Sequence, residues 1–232
     1  MSSIRQIVIF LGAPGAGKGT LSRLCADRLG WKQLSTGDLL RQHVEAKTDI
    51  GREIDFIIKS GMLVQDNLII DIVLQWLLSE CSDVETVILD GFPRTLAQAE
   101  GFLKVIKTSF TGVSIKIYRL IVPDEEIVDR LSARLVCGNK DCQAIYSERK
   151  LGKSEWQSTP CKVCGASLIK REDDAADRVQ ARLINYYHHI NPLLEYYRHI
   201  GCSVVDIDGN GTAENVFHAL MTSQDFDQQG KS

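Results

Sequence analysis

No apolar run in the sequence approaches the ~18 residues that a membrane-spanning helix needs. The residues ahead of the first apolar segment, Met1-Ser2-Ser3-Ile4-Arg5-Gln6, leave no space for a secretory signal, so a cytoplasmic protein is expected. Basic residues are no more numerous than acidic ones: 27 Lys and Arg stand against 30 Asp and Glu, a net charge of −3. With no basic tract either, a dedicated nucleic-acid binder is disfavoured, although a phosphate ligand asks only for a local group of arginines. The guanine-reading pattern Asn-Lys-x-Asp is missing, which argues against a signalling switch. No histidine or glutamate stands out as a general base. Cysteine is present in an odd number, seven, and without a secretory signal a disulfide framework is the weaker reading. What remains is 44% hydrophobic and 25% charged over 232 residues, the balance of a globular chain that can bury a full core.

The chain is organised around Ile7-Val8-Ile9-Phe10-Leu11-Gly12-Ala13-Pro14-Gly15-Ala16-Gly17-Lys18-Gly19-Thr20. Its β-branched apolar run reads as a buried parallel strand, and Leu21, Leu24, Cys25 and Leu29 then recur at helical spacing. Between them, Gly12, Gly17 and Lys18 match G-x-x-x-x-G-K. Glycines let a main chain approach phosphate oxygens, backbone N–H groups and a helix N-terminus converge on them, and Lys18 would sit over the β- and γ-phosphates. The strict pattern has Ser or Thr after the lysine; here Gly19 stands there and the hydroxyl follows at Thr20.

Four further strands are predicted: Trp31 to Thr36, Thr86 to Asp90, Ile115 to Val122 and Cys202 to Asp208. Helical stretches are predicted after the capping residues Ser35-Thr36-Gly37-Asp38, over Ile50 to Lys59 with a C-cap at Gly61, and over Asp66 to Leu78. Others run from Pro123 through Arg134, from Asp173 to Tyr197 with an interruption or kink at Pro192, and from Thr212 to Met221. Five strands alternating with helices imply an α/β fold: a five-stranded parallel sheet with helices on both faces and ligands at the strand C-termini. Asp90 ends the third strand, and a carboxylate so placed beyond a phosphate loop holds Mg²⁺ directly or through water. The segments near Thr36–Val64 and Cys137–Arg171 leave the same sheet edge and look like lids.

The second of these is short of aliphatics and holds Cys137, Cys142, Cys161 and Cys164. Two thiolate pairs can close a tetrahedral Cys₄ site, which would be structural Zn²⁺ with no open position for catalysis; free or redox-active thiols are the alternative. A segment of ~35 residues with so little to bury seldom folds without a metal or disulfides. Cys25, Cys81 and Cys202 lie in apolar patterns and read as small buried hydrophobes.

Gly-Lys-Gly-Thr at 17–20 resembles the adenylate kinase family, and the resemblance extends from Ile4 to about Leu220. It is carried by Ser35-Thr36-Gly37-Asp38-Leu39-Leu40-Arg41, Leu89-Asp90-Gly91-Phe92-Pro93-Arg94-Thr95, Asp129-Arg130, Arg134 and Arg171-Glu172-Asp173-Asp174. The resemblance implies a P-loop kinase fold with a core at 1–34, 65–133 and 172–232, a monophosphate-binding insertion at 35–64 and a zinc-bearing lid at 134–171. It implies ATP + AMP ⇌ 2 ADP with Mg²⁺, small-molecule partners only, no nucleic acid, no membrane, and a monomer. By the same resemblance, Gly15, Ala16, Gly17, Gly19 and Thr20 join Lys18 around the phosphates of ATP. Arg41 and Arg94 hold the AMP phosphate, Arg130 and Arg134 attend ATP from the lid hinge, and Arg171 and Arg182 reach the transferring group. If helical throughout, Arg171 and Arg182 would share a face, being close to three turns apart. Thr36, Gly91, Phe92 and Pro93 belong to the AMP side, where Met62-Leu63-Val64 walls the base and Gln98 bonds its edge. Ile145 and Tyr146 close over ATP, and Gly211 approaches its adenine. The first cysteine pair departs from the family in having four intervening residues where two are usual. Arginine suits these tasks because its planar fork holds two phosphate oxygens and keeps its charge. A uridylate/cytidylate or guanylate kinase on the same fold is the alternative enzyme, and Thr36 and Gln98 disfavour the pyrimidine enzymes. A zinc-ribbon nucleic-acid binder would be a different class altogether.

Overall fold

A computed structural model describes residues 3–60, 62–139, 142, 144–152 and 154–223. In chain order the elements are β1 (Gln6–Gly12), α1 (Lys18–Leu29), β2 (Lys32–Ser35), α2 (Thr36–Glu45), α3 (Asp49–Ser60), α4 (Asp66–Glu80), β3 (Thr86–Asp90), α5 (Leu96–Ser109), β4 (Ser114–Ile121) and α6 (Asp124–Ser132). Then follow β5 (Arg134–Cys137), β6 (Ile145–Ser147), α7 (Glu148–Leu151), β7 (Leu168–Ile169), α8 (Ala176–His199), β8 (Val204–Asp208) and α9 (Ala213–Met221).

Five strands form one parallel sheet in the order β2-β3-β1-β4-β8. β1 is central, and its alternating side chains divide the core in two. Ile7, Ile9 and Leu11 pack with α4, α5 and the second half of α8, through Val73, Phe102 and Leu193 among others. Val8 and Phe10 face the opposite way, toward Leu21 of α1, Ile127 of α6 and Leu220 of α9. Every residue from Ile7 to Phe10 is fully buried, each contributing about 1.5–3 kcal/mol of apolar transfer. The expected doubly wound sheet with helices on both faces is therefore present. In register, Phe10 and Ser35 flank Asp90, so the carboxyl ends of β1, β2 and β3 converge on one edge.

Several local readings change. α5 has no counterpart in the sequence reading, although Thr95 caps it by accepting from the Gln98 N–H, and Ala99, Phe102, Leu103 and Ile106 repeat at helical spacing. α6 stops at Ser132, and Arg134 opens a strand rather than ending a helix. α8 begins only at Ala176, after a 3₁₀ turn at Glu172–Asp174, and runs unbroken through Pro192. Arg171 thus lies outside that helix, and its shared face with Arg182 does not exist. The cysteine-bearing segment, for which no strand was expected, holds a separate antiparallel sheet, β6-β5-β7, over a small cluster of Leu135, Cys137, Ala144, Cys161 and Leu168. Cys25 and Cys81 are buried as expected, and Cys202 is half-buried. The expected cap at Gly61 falls outside the described residues. Among the described residues no helix is long and apolar enough to cross a membrane.

Candidate functional site

The turn from β1 into α1 builds the first part of the site. Gly17 caps α1 with a φ of 99°, a left-handed conformation that side chains resist. Gly19 answers the departure from the strict motif: a Cβ there would lie 3.1 Å from Asp90 Oδ2, so a serine or threonine would press on the carboxylate. Ala16 is buried and offers only its backbone to a ligand. Lys18 Nζ donates to the carbonyls of Gly12 at 2.7 Å and Ala13 at 2.9 Å, which holds the ammonium across the loop. Burial lowers the Lys18 pKa to about 8; Asp90 resists, while Arg94, Arg182 and Arg134 push the same way. Burial raises the Asp90 pKa against the pull of Lys18. The Asp90 carboxylate makes no hydrogen bond or ion pair with any described residue.

A group of arginines faces this loop, and carboxylates hold them. Asp38 accepts from Arg171 at 2.9 Å and from Arg41. Asp173 lies 3.4 Å from Arg182 and 3.7 Å from Arg41. Asp174 takes both Nε and a terminal nitrogen of Arg134, at 2.7 and 2.5 Å, and also Arg182 at 3.1 Å. Arg94 donates through Nε to the Gly91 carbonyl at 2.7 Å. Lys18 and these five arginines face Asp38, Asp90, Asp173 and Asp174, so cations outnumber anions and a phosphate would complete the balance. The excess is visible in the guanidiniums. Arg94 opens to the cleft yet is walled by protein, and desolvation followed by repulsion from Arg182 lowers its pKa to about 10. Arg171 is also lowered to about 10, by burial and then by Arg41 and Arg134. At Asp38 burial works upward, but Arg41 and Arg171 overcome it and hold the carboxyl below its usual range.

Two clefts meet here. One encloses about 620 Å³, including its open mouth, and is lined by Thr36, Arg41, Met62, Leu63, Val64, Gly91, Arg94, Gln98 and Arg182. That is nearly the whole set expected on the AMP side. The other runs past Gly12 and Lys18 to Pro93 and shares Leu63, Gly91, Arg94 and Arg182 with the first. Phe92 lines neither; it is fully buried, edge-on to Phe102 at 5.1 Å between ring centres. Gln98 is buried, and its Oε1 accepts the Arg94 N–H at 2.7 Å, leaving the amide NH₂ as the end it can present. Thr36 donates to the Asp90 carbonyl at 3.2 Å. Arg130 is held by Glu126 at 2.8 Å and by the Gly209 carbonyl at 3.0 Å, two residues before Gly211. Ile145 and Tyr146 stand apart from these clefts, on β6.

The four cysteines form a candidate metal centre: their Sγ atoms all lie within 4.8 Å of one another. The shortest approaches, Cys137 to Cys164 at 3.3 Å and Cys142 to Cys161 at 3.6 Å, cross between the two sequence pairs. Sulfurs ~2.3 Å from a tetrahedral zinc are about 3.8 Å apart, so the donor set fits. The carboxylates Asp38, Asp173 and Asp174 escaped the sequence reading as functional groups, although they lie inside two of the motifs quoted above.

If protonated Lys18 is the form that meets ATP, kcat/KM for ATP should fall as pH rises through about 8, because the free protein then loses the ammonium. Bound phosphates favour the proton, so kcat should hold to higher pH. A pH profile of both constants at saturating Mg²⁺ tests this, and a kcat/KM flat from pH 7 to about 10 would count against it.

A profile of the family described as adenylate kinase matches residues 10–202. An adenylate kinase from Dehalococcoides mccartyi strain 195 is 40% identical over 216 residues, which is 93% of this chain and 96% of the relative. Those from Archaeoglobus fulgidus and Caldicellulosiruptor saccharolyticus are 37% and 36% identical over 214 residues, 92% of this chain and 95% and 96% of the relatives. With a phosphate loop, an arginine cluster and two joined clefts in one site, and relatives that match it almost end to end, the chain belongs to the adenylate kinase family.

Proposed function

We propose that the two clefts are the two nucleotide sites of one phosphoryl-transfer centre. The activity is that of the family, reversible transfer of the terminal phosphate of ATP to AMP giving two ADP. The observation that supports this assignment of sites is the junction of the clefts: Arg94 and Arg182 line both, and Lys18 lines the second. Transfer goes through a loose transition state with charge on the transferred oxygens, so the protein acts by positioning and by electrostatic stabilisation. Lys18 swings from the Gly12 and Ala13 carbonyls to the β- and γ-phosphates, Arg41 and Arg94 orient the AMP phosphate, and Arg171 and Arg182 take charge at the moving group. Arg130 and Arg134 hold ATP from the hinge, with Gly211 against its adenine and Ile145 on the covering side. Asp90, whose buried carboxylate has no hydrogen bond or ion pair among the described residues, would hold Mg²⁺ directly or through water. Mg²⁺, when bound, neutralises charge on the β- and γ-phosphate oxygens.

The segments 35–64 and 134–171 act as insertions that close on the core at 1–34, 65–133 and 172–232. The four cysteines hold a structural zinc. The protein works as a cytoplasmic monomer on small nucleotides, without nucleic acid or membrane.

Gln98 reads the base. Its NH₂ end matches the N1 acceptor of adenine and opposes the N1–H of guanine and the N3–H of uracil. Gln98→Asn withdraws this donor by one methylene and breaks its bond to the Arg94 N–H. Activity with AMP should fall on the order of 10- to 100-fold in kcat/KM, with a smaller effect on the poorer acceptors. A coupled ADP-release assay of both proteins with AMP, CMP, UMP and GMP tests the function and this reading together. A wild type preferring another monophosphate would refute the AMP assignment, and an unaltered ranking in the variant would show that the base is read elsewhere.

A further inference from the structure

Successive side chains leave opposite faces of a strand, and on β6 this separates two neighbours. Ile145 is 37% exposed. The Tyr146 ring instead packs into the small apolar cluster beneath the β6-β5-β7 sheet. Its hydroxyl lies 3.2 Å from Cys161 Sγ and accepts the Lys162 N–H at 2.8 Å. Because that N–H can only donate, the phenolic proton must point to another acceptor, and the Cys161 sulfur is within reach. A metal-bound sulfur is a thiolate with no proton of its own, so the bond runs O–H to S.

We propose that Tyr146 is a positioning residue for the metal centre, holding Cys161 by an O–H···S bond and so setting how firmly the lid retains zinc. The inference rests on the zinc reading above. The hydroxyl grips the second cysteine pair at its first ligand and at the next backbone N–H. That pair sits on a turn closed by Cys161 N–H to the Ala166 carbonyl at 2.7 Å and Gly165 N–H to the Cys161 carbonyl at 2.8 Å. The other end of the tyrosine is anchored in the sheet, where Tyr146 pairs with Leu135, two residues before Cys137. One side chain therefore ties the two cysteine pairs together. A donor to a metal-bound sulfur also offsets part of the negative charge that four thiolates leave on a divalent ion, and outer-shell bonds of this kind are typically worth 10- to 100-fold in metal affinity.

The test is Tyr146→Phe in the full-length, metal-loaded protein, a change that removes one oxygen and keeps the ring. Zinc transfer to a chromogenic chelator should become about 10- to 100-fold faster than in wild type. In the cobalt-substituted protein the sulfur-to-cobalt charge-transfer band should shift, which loosened packing alone would not cause. Wild type loaded with NMR-active cadmium should show a slowly exchanging Tyr146 hydroxyl proton coupled to the metal, a measurement that needs no variant. A wild type that holds no zinc would defeat the zinc reading and this inference with it. A zinc-bearing wild type whose phenylalanine variant releases metal at the same rate, with the same charge-transfer band, would defeat this inference alone.

Discussion

Lys18→Met should cut turnover by about 10²–10³-fold while leaving the protein folded. Removing one preorganised donor from a developing charge costs ~3–4 kcal/mol in the transition state, and nothing nearby can replace it. Arg94 is bound to the Gly91 carbonyl and Arg182 to Asp173 and Asp174. Methionine keeps the unbranched stem as far as Cε and loses the ammonium with its two bonds to the Gly12 and Ala13 carbonyls. The stability effect has the opposite sign. A lysine whose folded pKa of about 8 lies below its ordinary value of 10.5 disfavours the folded state at neutral pH, and that cost fades as pH rises from about 8 toward 10.5. The variant should therefore melt no lower than wild type at pH 7, by calorimetry, while steady-state assays show the lost turnover. Activity within a few-fold of wild type would sink the phosphate-loop assignment.

Zinc removal should act on stability first. Among the described residues, the buried cluster beneath the β6-β5-β7 sheet is Leu135, Cys137, Ala144, Cys161 and Leu168, two of them the proposed ligands themselves. Structural zinc contributes an apparent ~10–16 kcal/mol in small peptides, so its loss should unfasten the β6-β5-β7 sheet. If even ~3 kcal/mol reaches the cooperative transition, the thermal midpoint falls by roughly 6–12 °C in a chain of this size. Cys161→Ser should reproduce much of the effect of a chelator. Turnover at low temperature should persist in part, because Lys18, Arg94 and Arg182 lie outside that sheet. Freshly purified protein should hold about one zinc per chain, in keeping with a single four-thiolate site. Protein without zinc, or a Cys161→Ser variant as heat-stable as wild type, would overturn the assignment.

The parts of the fold that were legible are those whose pattern is local and long. β1 and β3 are buried runs of β-branched and aliphatic residues, and Gly12 to Thr20 carries its loop geometry in its own glycines. The antiparallel strands β5, β6 and β7 have two to four residues each, too few for a period of two to show against the surrounding polar sequence. α5 is marked in the sequence by Thr95 and Gln98 at its start, where the motif Leu89 to Thr95 ends.

Of the candidate site, the glycines and Lys18 of the phosphate loop were readable from their spacing, and the arginines from the resemblance to the family. Their partners were not. Asp38 and Arg171 are 133 positions apart, and Arg134 and Asp174 are 40 apart. Only the sheet order β2-β3-β1-β4-β8, which sets the ends of β1, β2 and β3 on one edge, decides what lies across from that edge. By itself the sequence showed the phosphate-loop pattern, the alternation of strands and helices and four thiols at metal-binding spacing, since each is written within one stretch of chain, while the arginines were offered only by the resemblance to the family. The tertiary structure alone decided that Asp38, Asp173 and Asp174 hold the arginines, that Gln98 turns its NH₂ end free, that Phe92 is core and that the Tyr146 hydroxyl meets a sulfur. Some of those contacts, Asp38–Arg171 and Arg134–Asp174 among them, join residues far apart in the chain, and all of them gain their energy only once the fold has brought the charges and donors within a few ångströms.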